Sequence, residues 1–319
     1  MKNIKFISKL SLIAFALFAT VSCSDDDDPK QPETIVEIAV ATPNLSSLVA
    51  ALQRADLVTT LNGAGPFTVF APTNAAFDAF LKANNFANLN AVPVPALKQV
   101  LLNHVLSGKN VSTGLKTGYV NSLATYGDTQ LNLSMFINTA SGVKINGVST
   151  VAAADINATN GVIHVVDAVI GLPTVVTFAT ADPSFSTLVA ALTRESSFTF
   201  VSTLSKTGAP APFTVFAPTN AAFGSLLTEL NAPNLAAIAT PTLTATLNLH
   251  VVAGANVQST ALTNNMTITT LGGNITAKTT GGATLTDANN RVSKIIAVNV
   301  QASNGVIHAI DKVILPKLN

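Results

Sequence analysis

Cysteine, tryptophan and charge are all scarce in this chain of 319 residues. The one cysteine is Cys23, so no disulfide can form within the chain. Tryptophan is absent, charged residues make up 10% of the sequence, and the formal net charge is +1. Because no basic block or stripe exists, the sequence argues against a nucleic-acid partner. The expected surface is polar but largely uncharged, which suits an extracytoplasmic protein.

Catalytic sequence motifs are also missing. The chain contains no G-x-S-x-G elbow, phosphate-binding loop, H-E-x-x-H pair, dinucleotide fingerprint or EF-hand loop. Serine and threonine are too numerous for any one of them to indicate a nucleophile. The sequence therefore predicts a protein that is not an enzyme and that needs no cofactor or metal.

The first 22 residues have the layout of a secretory signal. Three lysines precede an apolar run over residues 10–21, which ends at Ser22-Cys23 and is too short for a transmembrane helix. The pattern resembles the lipobox of bacterial lipoproteins, with Thr20 where that pattern prefers leucine. The resemblance implies cleavage before Cys23 and lipid attachment to it, with a plain signal peptide as the alternative.

Residues 23–33 predict an acidic, flexible tether. Four consecutive aspartates stand beside two prolines, and such a segment cannot bury apolar surface. Acidic runs at this place resemble the surface-export signals of some Gram-negative lipoproteins. We therefore expect lipid anchoring in the outer membrane with display on the cell surface. A protein facing the periplasm is the alternative.

The remainder of the chain is an internal repeat. The segment FTVFAPTNAAF at residues 67–77 recurs letter for letter at residues 213–223. An upstream helical block at residues 45–57 matches residues 185–198, and NGVIHVVDAVI at residues 160–170 matches NGVIHAIDKVI at residues 304–314. Such a long period excludes a solenoid and predicts two globular domains in tandem, joined at residues 171–176.

The identical segment predicts a corner between a strand and a helix. Five β-forming residues precede Pro72, which stops the strand, and Thr73 or Asn74 is a natural helix N-cap. Phe77 begins an apolar i, i+3, i+4 pattern. The second copy places Thr219, Asn220 and Phe223 in the same roles. We interpret the segment as structural, with its phenylalanines in the core.

The last block of each repeat predicts a strand buried on both faces. A tight turn at Asn160-Gly161 is followed by nine residues that are apolar in both alternating registers. Short strands and hairpins are predicted between the early helices and this strand. Each repeat is therefore expected to be α+β.

The four histidines lie in register, two in each repeat: His104, His164, His250 and His308. Histidine is a common metal ligand, but apolar neighbours favour buried histidines with one ring hydrogen bond each. Asp167 and Asp311 follow the strand histidines by three residues. A regular strand points such pairs to opposite faces, so these carboxylates are expected to accept structural hydrogen bonds.

These motifs together resemble the fasciclin (FAS1) domain family, twice over. TVFAPTNAAF resembles the first family signature and the NGVIH blocks resemble the second, while LLNHVLSG and LNLHVVAG match the stretch between them. The resemblance implies two β-sandwich wedges, each with helices packed along one side. It places domain 1 at residues 34–172 and domain 2 at residues 173–316.

The resemblance also implies adhesion. In vertebrate matrix members an Asp-Ile pair before the second signature is linked to integrin binding, and here Asp155-Ile156 falls on that place. The second repeat has Asn299-Val300 instead. We therefore expect a surface protein that binds a protein or glycan of cells or matrix, with weak self-association left open. A glycan-binding accessory of a nutrient-uptake system and a periplasmic envelope-structural protein are the alternatives.

Overall fold

Both repeats begin with helices and end with strands. The computed structural model describes residues 33–317. The predicted signal peptide, lipidation at Cys23 and nearly all of the tether precede this range and so lie outside the described residues.

The helices have the same places in both repeats: three precede the first strand and two follow it. The first repeat contains α1 (Ile35–Ala41), α2 (Ser46–Arg54), α3 (Val58–Leu61), α4 (Asn74–Ala83) and α5 (Val94–Leu102). The second contains α6 (Val175–Ala181), α7 (Ser186–Leu192), α8 (Phe200–Leu204), α9 (Asn220–Glu229) and α10 (Thr240–Leu249).

The strands also correspond one to one. The first repeat has β1 (Phe67–Pro72), β2 (Val105–Ser107), β3 (Gly118–Thr125), β4 (Asn132–Asn138), β5 (Lys144–Ile145), β6 (Ser149–Ala158) and β7 (Gly161–Val166). The second has β8 (Phe213–Pro218), β9 (Val251–Ala253), β10 (Met266–Thr270), β11 (Gly273–Lys278), β12 (Thr284–Thr286), β13 (Val292–Ala302) and β14 (Gly305–Ile310). The α+β prediction is confirmed.

Within residues 33–317, no single helix is long and apolar enough to cross a membrane. Two bent pairs, α1 with residues 43–54 and α6 with residues 183–192, match a span in combined length and composition alone.

Each sheet is built around one parallel pair of strands. In the first repeat β1 pairs with β7 in parallel and with β2 antiparallel, and the seven strands close on themselves. In the second repeat β8 pairs with β14 and β9, and the strand order runs from β10 to β9. The parallel pairing requires Gly161, because an added Cβ would lie 2.0 Å from the Phe67 carbonyl oxygen.

Two predicted boundaries differ from the structure. The last strand of the first repeat ends at Val166 after six residues, not nine. The chain turns there because Asp167 bonds back to the Thr150 backbone with both its N–H and its carboxylate. The predicted linker is also shorter, since Thr174 caps α6 and the helix begins at Val175.

The duplicated segment forms the corner between β1 and α4. The Thr73 hydroxyl accepts the Ala76 N–H at 3.2 Å and so caps the helix. The Asn74 carbonyl accepts the Ser47 N–H at 2.8 Å, and its amide donates to the Pro43 carbonyl at 3.0 Å. Thr219 and Asn220 make the equivalent bonds in the second repeat. Each corner therefore ties the start of its helix to the start of an earlier helix, α2 in the first repeat and α7 in the second.

The core of each repeat lies between the helices and the sheet. Phe77 is 2% exposed within a cluster that includes Leu48, Leu97 and Ile163. Phe223 is 1% exposed in the corresponding cluster of the second repeat. A smaller apolar cluster fills the interior of each sheet.

The two repeats are packed against each other. The Tyr119 ring of the first repeat meets Phe178 of the second edge to face, with ring centroids 5.5 Å apart. The Tyr119 hydroxyl donates to Asp182 at 3.0 Å. The tyrosine pKa is raised, mainly because the side chain is buried and also because the Asp182 carboxylate is close. The Gln301 N–H donates to the Ser134 hydroxyl at 3.0 Å, 167 positions away. Buried contacts of this kind couple the two repeats.

Candidate functional site

Asp155 lies at an irregular point of β6, where the pairing with β7 shifts register. Its backbone is left-handed, with φ of 62°. One carboxylate oxygen accepts the Ser112 N–H at 2.7 Å and the other accepts the Ser112 hydroxyl at 2.5 Å. These bonds hold the pKa of the Asp155 carboxyl below its usual value. The side chain stays 37% exposed, so it holds a loop in place and still reaches solvent.

Asn299 occupies the same position in the second repeat. Its backbone φ is 59°, its carbonyl accepts the Ser259 N–H at 2.8 Å, and its amide donates to the Ser259 hydroxyl at 3.0 Å. A neutral side chain therefore holds the loop in this repeat. The serine N–H donates to the side chain in both repeats, but the serine hydroxyl donates to Asp155 and accepts from Asn299. The negative charge of Asp155 is thus not required to hold the loop.

Ile156, the second residue of the predicted binding pair, is only partly accessible to a partner. Its side chain is half-buried and packs against the helical core of the first repeat, while Val300 is 6% exposed in the second core. The structure thus offers the Asp155 carboxylate to a partner more than the isoleucine beside it.

The strand histidines lie directly behind these two residues. His164 is fully buried, its Nδ1 accepts the Asp155 N–H at 3.2 Å, and its Nε2 donates to the Asn110 carbonyl at 2.9 Å. The 3.9 Å contact between Nδ1 and the Asp155 carboxylate is not an ion pair, because Nδ1 already uses its lone pair on the N–H. His308 makes the same two bonds, to Asn299 and Val257.

The helix-end histidines join α5 and α10 to the last segment of each repeat. His104 Nδ1 donates to the Val100 carbonyl at 2.7 Å, and Nε2 accepts the Ile170 N–H at 2.8 Å. His250 bonds in the same way to Thr246 and Ile314. The sequence predicted one ring hydrogen bond for each histidine, whereas the structure gives each ring two. With both nitrogens occupied, these buried rings are not arranged as ligands or as catalytic bases.

Asp167 and Asp311 are placed away from the histidines. The Asp167 carboxylate accepts the Thr150 N–H at 2.6 Å, and the Asp311 carboxylate accepts the Lys294 N–H at 2.7 Å. Both bonds tie the end of the last strand to the strand beside it. Within residues 33–317, no group of three or more histidine, cysteine or acidic side chains could hold a metal ion.

Asn160 and Asn304 are two structural residues whose side-chain role the sequence did not indicate. The Asn160 amide donates to the Leu61 and Gly63 carbonyls, and its carbonyl accepts the Ile35 N–H. Asn304 makes the same three types of bond. The sequence identified Asn160-Gly161 only as a turn. The only available signal was that the pair is identical in both repeats.

We expect Asp155→Asn to leave the melting temperature almost unchanged, because Asn299 already performs this role. Asp155→Ala should lower it by about 2–4 °C, since the Ser112 N–H and hydroxyl lose their acceptor. Thermal unfolding followed by circular dichroism measures both, and Asn299→Ala is the matched control in the second repeat. Equal melting temperatures for the alanine and asparagine variants would contradict a role in holding the loop.

Comparisons with known proteins agree with this architecture. The family model described as Fasciclin domain matches residues 43–173 and 183–316. Protein sll1483 of Synechocystis is 43% identical over 138 residues, which cover 43% of this chain and 72% of that protein. Human periostin is 29% identical over 271 residues, which cover 80% of this chain and 29% of periostin.

One solved structure is also similar to this chain. It is a FAS1 domain pair from the insect cell adhesion molecule fasciclin I, at 19% identity and a TM-score of 0.48, covering 85% of this chain and 97% of that one. The family matches leave only short gaps between and around the two repeats described above. The resemblance predicted from the signature motifs is confirmed: this chain belongs to the fasciclin domain family and contains two such domains in tandem.

Proposed function

We propose that this chain is a lipid-anchored adhesion protein that is displayed on the outer surface of its cell. The observation that carries the proposal is the pair of fasciclin domains joined by buried contacts. The domain also occurs in the insect cell adhesion molecule named above. The lipobox-like sequence at Cys23 and the acidic segment after it support the anchor and the outward location.

The internal hydrogen bonding of the repeated motifs fits binding better than catalysis. The polar groups of these motifs make hydrogen bonds within the fold. This holds for the duplicated corner, the four histidines and the aspartates of the second signature. Exposed loops and sheet faces are therefore the parts of the molecule that remain for a partner. Two domains on one tether raise the effective concentration of each for a repeated ligand, so weak individual contacts suffice.

A glycan-binding accessory protein is the second candidate. The low content of charged side chains favours it, because an uncharged surface rich in threonine and asparagine suits sugar hydroxyl groups. In that case the same anchor would hold the protein beside an uptake system. Normal adhesion of a deletion strain, combined with poor growth on a polysaccharide, would favour this second candidate.

We expect protease added to intact cells to digest the wild-type protein. The reason is that surface display exposes both domains, whereas a periplasmic protein is shielded by the outer membrane. Immunoblotting measures the loss, a periplasmic marker protein controls for cell integrity, and a Cys23→Ala strain controls for the anchor. If the lipidated protein survives until the cells are lysed, the surface adhesin is rejected and a periplasmic envelope-structural role is favoured.

The adhesive function itself is measured with a strain that lacks the gene. We expect fewer cells of this strain to attach to a surface or to one another, with recovery when the wild-type gene is restored. Attachment at the wild-type level would contradict adhesion.

A further inference from the structure

A groove of about 260 Å³ lies where the two repeats meet. It is lined by Leu131 and by amide side chains from both repeats: Asn121, Gln130 and Asn132 from the first, and Gln258, Asn299 and Gln301 from the second. None of these seven described residues carries a charge. The volume is slightly below the roughly 300–1,000 Å³ of typical small-molecule pockets, so the groove suits a short segment of a longer chain.

Gln301 holds the floor of the groove in place. Its side chain is buried, and its amide donates to the Ala302 and Gly305 carbonyls at 2.9 Å each. Its carbonyl accepts from Gln258 at 2.7 Å and from Asn256 at 3.2 Å. Its backbone N–H reaches Ser134 of the first repeat. The same residue therefore fixes the packing of the repeats and the position of Gln258.

Several polar groups in the groove remain available. Gln258 uses one N–H on Gln301, and Asn132 uses one N–H on the Ser122 carbonyl. Within residues 33–317 the side-chain carbonyl oxygens of Gln258 and Asn132 accept no hydrogen bond, and the Gln130 amide makes none. The groove thus presents two acceptors that are already oriented by other bonds, together with the exposed Gln130 amide.

The fasciclin fold itself does not require these amides. Gln301 pairs with Val306 in the sheet of the second repeat, and Asn157 pairs with Val162 at the same place in the first. Asn157 is exposed and has only a long bond to the Asp155 carbonyl, at 3.4 Å. The counterpart of Gln258 is the apolar Val111, which precedes Ser112 as Gln258 precedes Ser259. The amide cluster is therefore particular to the junction.

We propose that this groove binds a segment of a neutral polysaccharide. Amide groups pair as both donors and acceptors with sugar hydroxyls, and an uncharged lining gives no advantage to acidic or sulfated chains. A peptide segment fits less well, since among the seven described lining residues only Leu131 offers an apolar side chain for a peptide to bury against. The inference rests on the proposed function, because it names the ligand class of the same adhesive body.

Gln258→Leu is the variant that tests the groove. It removes the unpaired carbonyl oxygen of Gln258 together with the bond from Gln258 to Gln301, while the Gln301 carbonyl keeps the Asn256 donor. We expect immobilised mannan, xylan or galactan to bind the full-length wild-type protein in detergent and to bind this variant at least tenfold more weakly. Gln130→Ala should also weaken binding. Gln53→Leu is the matched control, because Gln53 is an exposed glutamine on α2 that does not line the groove. It should bind like the wild type.

Further readouts separate the outcomes. Binding should be insensitive to added salt, since no charge lines the groove, and all variants should keep the wild-type melting curve. Equal binding by Gln258→Leu and Gln53→Leu would overturn the proposal, as would preference for anionic alginate or for a peptide. If the protein binds no neutral polysaccharide but the deletion strain still fails to attach, the proposed ligand of the groove is wrong and the adhesive function stands. Normal attachment of the deletion strain overturns the adhesive function instead.

Discussion

Phe77→Ala is expected to lower the free energy of unfolding by about 3–5 kcal/mol, the usual cost of truncating a core aromatic side chain. Phe77 lies in the first turn of α4, one residue after the capped Ala76 N–H, and is 2% exposed. The corner fixes the backbone at this point, so neighbouring side chains cannot move far enough to fill the space. Urea unfolding followed by circular dichroism measures the loss.

The repeat supplies the matched experiment. Phe223→Ala should cost a similar amount, because Phe223 is 1% exposed at the same position of α9. Lys82→Ala controls for mutation of α4 itself, since this side chain is exposed, and should change the free energy by less than about 0.5 kcal/mol. Unfolding curves of Phe77→Ala and Lys82→Ala that coincide would mean that the duplicated segment is a surface feature.

The corner could be predicted from the sequence because its determinants are local. Pro72, Thr73 and Asn74 each set a backbone geometry within a few residues, and the periodicity that starts at Phe77 marks the buried face. The recurrence of the same pattern in the second repeat made a chance match improbable. The same local signals predicted the order of helices and strands in each repeat.

Contacts between distant residues could not be predicted in this way. The partner of Asp155 is Ser112, 43 positions earlier, and Tyr119 meets Asp182 63 positions later. Neither pair leaves a periodic pattern, because nothing in the sequence near one member depends on the other. The second ring hydrogen bond of His104 comes from Ile170 for the same reason. The groove amides were likewise invisible, since they come together only when the repeats pack.

Acidification from pH 7 to pH 5 is expected to destabilise the protein by about 2 kcal/mol for each of His104 and His250. Burial is the main cause that lowers the pKa of each of these histidines from 6.5 to about 4. In addition, Nε2 of each ring accepts a backbone N–H, which a protonated ring cannot do. Between pH 6.5 and 4, these two histidines therefore bind protons in the unfolded chain but remain neutral in the folded chain.

Stability from the two histidines is complete above pH 6.5 and is lost progressively as the pH falls towards 4, at about 1.4 kcal/mol per unit and per histidine. His308, whose pKa is also lowered by burial, adds to the loss. Carboxylates with lowered pKa values, such as Asp155 and Glu229, act only at lower pH, because their ordinary values are 3.8 and 4.5.

Urea unfolding at pH 7, 6 and 5 measures the loss, and a His104→Gln, His250→Gln double variant provides the control. The variant should be less stable than the wild type at pH 7, since two buried bonding patterns are disturbed. Its dependence on pH over this range should nevertheless be smaller by about 4 kcal/mol, because neither side chain titrates. A variant as acid-sensitive as the wild type would show that the protons bind elsewhere. The expected result would explain in one step why both repeats place a histidine at the end of α5 and α10: a neutral ring joins two backbone segments.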